Sequence, residues 1–413
     1  MLALSTWVLA ARLVGKEKFG ELGIIQSTVG MFGLFADLGL SVTATKYVAE
    51  FRLSDKAKAG RIMALSRGVT LITGGIVAAI LVLSAPYLAK HCLAAPRLAP
   101  ELRISSLLIW LSAINGAQTG ALAGFEAYDM IALANAFGGI VNLPCLVIGA
   151  WLADLPGMMW GLVMGQAASV GLSRWMLQRE AGRSQIKPLI RDMCRELRVL
   201  SAFAVPSMIA SSMAVPTVWY LQTIVVKRPG GYDGMAEYSV GLQLRNIIQF
   251  LPALLSTAYL PVAASVAGYP AGKRFRLMYY NAGAAAALTS LGSIVIIIGS
   301  PYILRAYGNA FASGMLVVVL LLAAGIAISA NNILVQTLLS AGRAWLRLIS
   351  NAVFCVIALL FGAKLIPSYG ATGLAASLCL AQFLHLGVQI LLTHRALDNE
   401  CNGTAHAPIR TFR

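Results

Sequence analysis

Arg245 is the residue whose position in this sequence most strongly suggests chemistry. It lies inside an apolar stretch, residues 236–262, with Gln249 one helical turn further on and Asn246 beside it. If this stretch spans a membrane, a charge near the bilayer centre costs ~2.5–3.5 kcal/mol and should face water or the protein interior. A guanidinium in such a place suits an anion such as a diphosphate. The alternative is structural: Arg245 extends outward to the headgroups or pairs with Glu237.

The amino-terminal half offers amide side chains instead of charge. Asn115 and Gln118 are three residues apart, so a helix places them on one face, and Asn142 lies deep in the next apolar stretch. Amides both donate and accept hydrogen bonds, which suits sugar hydroxyl groups. We predict that these three amides bind substrate together with Arg245, Asn246 and Gln249. The alternative is that they join neighbouring helices by hydrogen bonds.

Two ionisable side chains are candidates for a coupling-ion site. Asp37 lies near the end of the second apolar stretch, and His385 lies in the middle of the last one. A histidine can relay protons near neutral pH. In the structural alternatives, Asp37 caps the following turn or pairs with Lys46, and His385 is a neutral histidine of the core.

Glycines recur every fourth residue in the fourth apolar stretch, at Gly116, Gly120 and Gly124. This spacing places all three on one face of a helix. Small residues at such a spacing let two helix backbones approach closely. The ridge therefore predicts close helix packing.

Patterns of metal, cofactor and nucleotide sites are missing from the sequence. None of the six cysteines forms a CxxC pair or has a Cys/His ligand spacing, and no Walker A sequence occurs. We therefore expect no metal, no cofactor and no ATP-driven step. The longest stretch predicted to lie outside, residues 90–103, holds one histidine and one glutamate, which disfavours a catalytic outer loop.

The composition indicates a membrane protein. Hydrophobic residues make up 58% of the chain and charged residues only 12%, whereas soluble domains carry roughly a quarter charged residues. Apolar runs separated by short polar loops recur along the whole chain. They predict an all-α polytopic membrane protein with about twelve transmembrane helices, at residues 1–14, 19–40, 62–89, 104–124, 129–153, 156–177, 199–226, 236–262, 277–304, 312–338, 345–366 and 371–393.

The lysines and arginines are distributed unevenly between the two sides of these predicted spans. With the N-terminus in the cytoplasm, 21 of them fall on the cytoplasmic side and ten on the opposite side, Arg245 belonging to neither. Cytoplasmic loops carry an excess of basic residues, so both termini are predicted to be cytoplasmic. The same count accounts for the net charge of +16 without a nucleic-acid partner.

The predicted spans divide into two halves. Residues 1–178 would form an amino-terminal six-helix bundle, residues 179–198 a basic amphipathic linker on the inner leaflet, residues 199–393 a second six-helix bundle, and residues 394–413 a cytoplasmic tail. Fourteen helical residues reach only ~21 Å against a hydrocarbon core of ~30 Å. We therefore expect the first helix to be truncated, with the true start upstream.

Several short motifs resemble a known family. They are Arg12-Leu-Val-Gly15 with Phe19-Gly20, Asp37-Leu-Gly-Leu40, Tyr47-Val-Ala-Glu50, Pro301-Tyr-Ile-Leu-Arg-Ala-Tyr-Gly308 and Leu338-Leu-Ser-Ala-Gly-Arg343. Each motif is loose, but their order and spacing over nearly the whole chain resemble the polysaccharide transporter family. These are the O-antigen or lipid-linked oligosaccharide flippases of the multidrug/oligosaccharidyl-lipid/polysaccharide exporter superfamily.

This resemblance implies a fold, a cargo and a mechanism. The fold would be two six-helix bundles around a central cavity, in the bacterial cytoplasmic membrane. The cargo would be an undecaprenyl-diphosphate-linked oligosaccharide, for O-antigen, capsule or exopolysaccharide, moved to the outer leaflet by alternating access. Membrane lipids would be partners, with a glycan polymerase and a chain-length regulator as further partners.

Two other functions stay open at this stage. One is a cation-coupled multidrug antiporter of the same superfamily, which would need acidic groups in its cavity, whereas the deep charge here is cationic. The other is a membrane enzyme such as a glycan polymerase or ligase. The short outer loops disfavour it, so we expect a transporter and not an enzyme.

Overall fold

The computed structural model describes residues 2–186, 213–265, 271–340 and 344–401. These residues are almost entirely helical and include no strand, which confirms the all-α class. The α-helices are α1 Leu2–Val14, α2 Lys16–Asp37, α3 Leu40–Phe51, α4 Lys56–Tyr87, α5 Ala99–Gly124, α6 Tyr128–Arg183, α7 Ala214–Val226, α8 Gly231–Ile248, α9 Phe250–Ser265, α10 Ala271–Tyr307, α11 Met315–Ser340 and α12 Ala344–Cys401. A π-helical turn, Leu88–Cys92, and two 3-10 turns, Pro96–Leu98 and Asn309–Gly314, lie between them.

The two longest helices are each two helices joined at a sharp bend. In α6 the chain leaves helical geometry at Ala153 and Asp154, where Asp154 has a φ of 50°. Glycines line the inner side of the hairpin: a Cβ at Gly165 would lie 3.0 Å from the Cα of Asn142. In α12 the bend is at Gly370, with a φ of 58°. Both bends fall in the short gaps that the sequence leaves between predicted spans.

The helices fit the prediction of about twelve membrane crossings. Counting α6 and α12 as two helices each, joining α8 with α9 and taking α3 as a continuation of α2 gives one helical segment for every predicted span. Within the described residues, six helices are long and apolar enough to cross a membrane, each with an 18-residue window of mean hydropathy 1.3 or more. The chain is a multi-pass membrane protein.

The chain divides into two compact units, residues 1–236 and 237–413. In the first, α5 packs against α2, α3, α4 and α6, and α1 packs against α6. Contacts place α7 in this unit because it packs against α2, where Trp219 Nε1 donates to Thr28 Oγ1 at 2.9 Å. In the second unit, α11 packs against α9, α10 and α12.

The predicted division at a basic linker stays a prediction. Residues 187–212 lie outside the described part of the chain, and residues up to Arg183 belong to α6. At the other end, α12 continues to Cys401, beyond the predicted start of the tail at residue 394.

The second span ends differently from the prediction. The sequence suggested a loop after residue 40, but α3 continues to Phe51 after a two-residue break at Leu38 and Gly39, both with positive φ. The glycine ridge of α5 explains this. A Cβ at Gly120 would overlap the backbone carbonyl of Ser41, and one at Gly124 would lie 2.7 Å from Val48 Cβ. The predicted close helix packing at this ridge is confirmed. The packing keeps the polar residues of α3 in a helix.

Arg52 fixes the far end of α3. Its Nη1 donates to Phe125 O at 2.6 Å, and its Nη2 lies 2.6 Å from Glu126 Oε1. Phe125 and Glu126 form the turn between α5 and α6. Hydrogen bonding to this guanidinium lowers the pKa of the Glu126 carboxyl below its usual value.

Candidate functional site

Arg245 lies in the last turn of α8 and packs against α11. Its aliphatic stem lies over Gly325, where a Cβ would be 3.1 Å from Arg245 Cγ and 3.6 Å from Cδ. The Nε atom is buried and has no hydrogen-bond partner among the described residues. No ion pair between this guanidinium and Glu237 is found in the described part either, and Ser313 Oγ donates to Glu237 Oε1 at 2.6 Å.

Gln249 lies on the same side as Arg245, whereas Asn246 does not. Gln249 Nε2 donates to the backbone oxygen of Gly325 at 3.3 Å, so one glycine contacts both predicted side chains. Asn246 is exposed, because a residue one position further along a helix points about 100° away. The structure thus brings together two of the three residues predicted here.

The predicted amides of the first unit do not form one group. Gln118 is buried and lines a cavity of about 610 Å³. Asn115 is half-buried with its Oδ1 lacking a partner among the described residues, and it is not one of the cavity residues. Asn142 lies inside the α6 hairpin, where its Oδ1 also lacks a described partner. Their roles as substrate ligands stay predictions.

Asp37 caps the helix that follows it. Its Oδ2 accepts from Ser41 Oγ at 2.9 Å, and its Oδ1 accepts from Ser41 N at 3.4 Å. These contacts join the end of α2 to the first turn of α3 across the break at Leu38 and Gly39. They agree with the structural alternative for Asp37, and a coupling-ion role stays a prediction.

His385 is buried in the second unit among polar groups. Ser350 Oγ lies 2.5 Å from Nε2, and Asn331 Nδ2 lies 3.4 Å from Nδ1. Gln389, one turn further along α12, is fully buried with both amide atoms lacking a described partner. The ring nitrogens are thus occupied, as in a histidine of the core, and a proton-relay role stays a prediction.

The sequence reasoning missed three residues that the structure makes prominent. Gly325 is one glycine in an apolar run, and nothing in the sequence shows that an arginine lies over it. Arg67 and Arg174 were counted only as charges at the cytoplasmic ends of spans, yet both line the cavity that Gln118 lines. A signal was available, since each lies a few residues inside a predicted span.

The fold is that of the transporters of the MOP superfamily. A structure titled as the inward-facing conformation of a multidrug resistance MATE family transporter of that superfamily matches with a TM-score of 0.80 at 14% identity, over 98% of this chain and 96% of that chain. A second structure, titled lipid II flippase MurJ in an inward closed conformation, matches with a TM-score of 0.74 at 11% identity. The match covers 96% of this chain and 87% of that chain.

The chain belongs to the polysaccharide biosynthesis protein family, whose sequence model matches residues 1–267. Two curated relatives are named EPS I polysaccharide export inner membrane protein EpsE. The one from Ralstonia nicotianae is 29% identical over 212 residues, 47% of this chain and 46% of its own length. The one from Ralstonia solanacearum is 26% identical over 245 residues, which are 57% of this chain and 55% of its own length. The chain thus spans about half the length of the curated relatives it matches.

Proposed function

We propose that this protein is a flippase of the bacterial inner membrane. It moves an undecaprenyl-diphosphate-linked oligosaccharide from the inner to the outer leaflet by exposing its binding site to each side in turn. The family, the named role of the curated relatives in polysaccharide export and the transporter fold support the general role. The observation that carries the cargo class is the Arg245 side chain, whose buried Nε has no partner in the described part of the chain.

The chemistry of the cargo explains why such a residue is useful. A diphosphate leaving water loses strong hydration, so its passage needs fixed charge and hydrogen-bond donors. A guanidinium offers planar, paired donors that match phosphate oxygens. Gln249 holds its amide nitrogen on the Gly325 carbonyl, which leaves its amide oxygen free to accept from a sugar hydroxyl. No chemical step on the cargo is needed, so the protein acts as a transporter and not as an enzyme.

A strain lacking this protein should accumulate the lipid-linked precursor on the inner leaflet. The precursor would still be synthesised but not moved, because its polar head has no path through hydrocarbon. The measurement is the amount of precursor in inverted and right-side-out membrane vesicles, with a surface-labelling reagent to separate the leaflets. A normal distribution of precursor in the deletion strain, with polymer export intact, would contradict the proposal.

Substituting Gly325 should impair transport through Arg245. A valine there would push on the arginine stem that lies 3.1 Å from the Cβ position. Gly325→Val should therefore displace the guanidinium and lower the transport rate about tenfold, which corresponds to ~1.4 kcal/mol in activation free energy. Gly283→Val in α10 is the control, because a Cβ at Gly283 meets nothing within 4 Å. Equal transport rates for Gly325→Val and Gly283→Val, at equal protein levels in the membrane, would show that transport does not depend on the position of the Arg245 stem.

A cation-coupled multidrug antiporter is the second candidate. Two buried carboxyl groups of the first unit favour it: Glu21, which pairs with Arg97, and Glu101, whose Oε2 is buried without a hydrogen-bond partner in the described part. The two functions separate experimentally. An antiporter lowers the accumulation of cationic drugs in cells and leaves the amount of lipid-linked precursor on the inner leaflet unchanged. A flippase lowers the amount of that precursor and leaves drug accumulation unchanged.

A further inference from the structure

The first unit contains a cavity that the proposed function does not use. Its volume of about 610 Å³ is within the range of small-molecule sites, ~300–1,000 Å³. Residues from α3, α4, α5 and α6 line it, and most of its wall is apolar, with Met63, Leu71, Ile114 and Leu177 among the larger side chains. An apolar wall of this size fits a hydrocarbon chain.

Two arginines give the cavity a positive charge. Arg67 of α4 and Arg174 of α6 both line it and are close enough to repel each other electrostatically. Both are exposed, and neither guanidinium group has an ion pair or a hydrogen bond with another described residue. None of the described lining residues is acidic. Like charges held together without a counter-charge favour the binding of an anion.

Two buried polar groups in the same wall also lack partners. Ser66 is 2% exposed and Gln118 is 5% exposed, and neither Ser66 Oγ nor Gln118 Oε1 has a hydrogen-bond partner in the described part of the chain. Buried polar atoms of proteins are nearly always hydrogen-bonded, so two unsatisfied groups at one cavity leave hydrogen-bonding capacity for a ligand. A serine hydroxyl can donate to a phosphate oxygen, and the amide can turn to do the same.

We propose that this cavity binds the phosphate group of an anionic lipid. The guanidinium groups of Arg67 and Arg174 contact the phosphate oxygens, Ser66 and Gln118 complete the polar contacts, and the apolar wall takes the first part of the lipid chain. The lipid is either a membrane phospholipid or the polyprenyl diphosphate of the cargo, since both present this chemistry. The site involves none of the residues around Arg245. The phospholipid alternative does not depend on the proposed function, whereas the polyprenyl diphosphate alternative rests on it.

The test measures lipid binding to the purified full chain carrying Arg245→Gln, which removes the contribution of that residue. The probes are radiolabelled undecaprenyl diphosphate, phosphatidylglycerol and inorganic pyrophosphate. In this background the double substitution Arg67→Gln/Arg174→Gln should weaken binding of at least one of the two lipids tenfold or more, because hydrogen bonds to charged groups contribute about that much each. The probe that responds identifies the source of the phosphate.

The matched control is Arg179→Gln. Arg179 lies on the same helix as Arg174 and carries the same charge, but it stacks on Trp175 and does not line the cavity. The Arg179→Gln variant should bind both lipids within about twofold of the background, since a surface charge outside the cavity adds little. The double substitution Arg67→Lys/Arg174→Lys should keep most of the binding. It controls for misfolding of the Arg67→Gln/Arg174→Gln variant.

Three results would overturn the proposal. One is unchanged binding of both lipids in the double glutamine variant, and another is an equal loss in Arg179→Gln. The third is a loss of inorganic pyrophosphate binding in the double glutamine variant that equals its loss of lipid binding. That result would make the cavity a site for free phosphate. None of these outcomes bears on precursor accumulation in the deletion strain, so the two proposals fail separately.

Discussion

Arg245→Gln is expected to reduce export of the glycan strongly while the protein still reaches the membrane. The substitution removes the charge and the paired donors but keeps a polar, shorter side chain in α8. Losing charge-assisted hydrogen bonds worth ~1.5–3 kcal/mol each predicts a decrease of about tenfold to a hundredfold or more in the transport rate. Arg245→Lys should retain part of the activity, because an ammonium supplies charge without the planar fork.

The measurement is flipping of a fluorescent lipid-linked saccharide in proteoliposomes, combined with precursor accumulation in cells. The control is Arg276→Gln in α10, an exposed arginine of the second unit, which removes the same charge from the protein. Transport at the wild-type rate in Arg245→Gln would show that this guanidinium does not bind the cargo. A loss in Arg276→Gln as large as in Arg245→Gln would assign the effect to net charge instead.

Gly20→Val is expected to destabilise the protein much more than Gly30→Val, a substitution on the same helix. Gly20 is buried in α2, and a Cβ there would overlap the backbone carbonyl of Tyr232 at the start of α8, lying 2.7 Å from its carbonyl carbon. Backbone cannot move aside as a flexible side chain does. The two helices would have to separate, at the ~1–3 kcal/mol typical of overpacking or more.

Gly30→Val is a matched control on the same helix, because a Cβ at Gly30 meets nothing within 4 Å. Both variants introduce the same side chain into α2, so differences in helix propensity cancel. The measurement is the thermal unfolding midpoint in detergent together with the level of protein in the membrane. Equal midpoints for the two variants would mean that the close approach of Gly20 to Tyr232 does not hold this part of the first unit together.

The sequence predicted the helical architecture because a bilayer restricts the possibilities so strongly. Backbone groups in hydrocarbon must be satisfied internally, so apolar runs of this length can only be helices. Even the two bends inside α6 and α12 fall where polar residues or a glycine interrupt the apolar runs. The end of α3 was missed because tertiary packing on Gly120 and Gly124, rather than hydropathy, keeps residues 40–51 helical.

The candidate sites were predicted only in part. Arg245 stood out from sequence because a lone charge in an apolar run is costly and needs a reason. Its neighbour Gly325 could not be predicted, since the two residues are 80 positions apart and meet only through the packing of α8 on α11. The amides at Asn115 and Asn142 looked equivalent to Gln118, but only Gln118 lines the cavity.

By itself, therefore, the sequence determined that this is a multi-pass helical membrane protein with one deep cation, because hydropathy and charge are properties of single residues and their near neighbours. Only the tertiary structure decided which residues share a site. It placed Arg67 with Arg174, and Arg245 over Gly325, because such pairings depend on how helices distant in sequence pack their faces together.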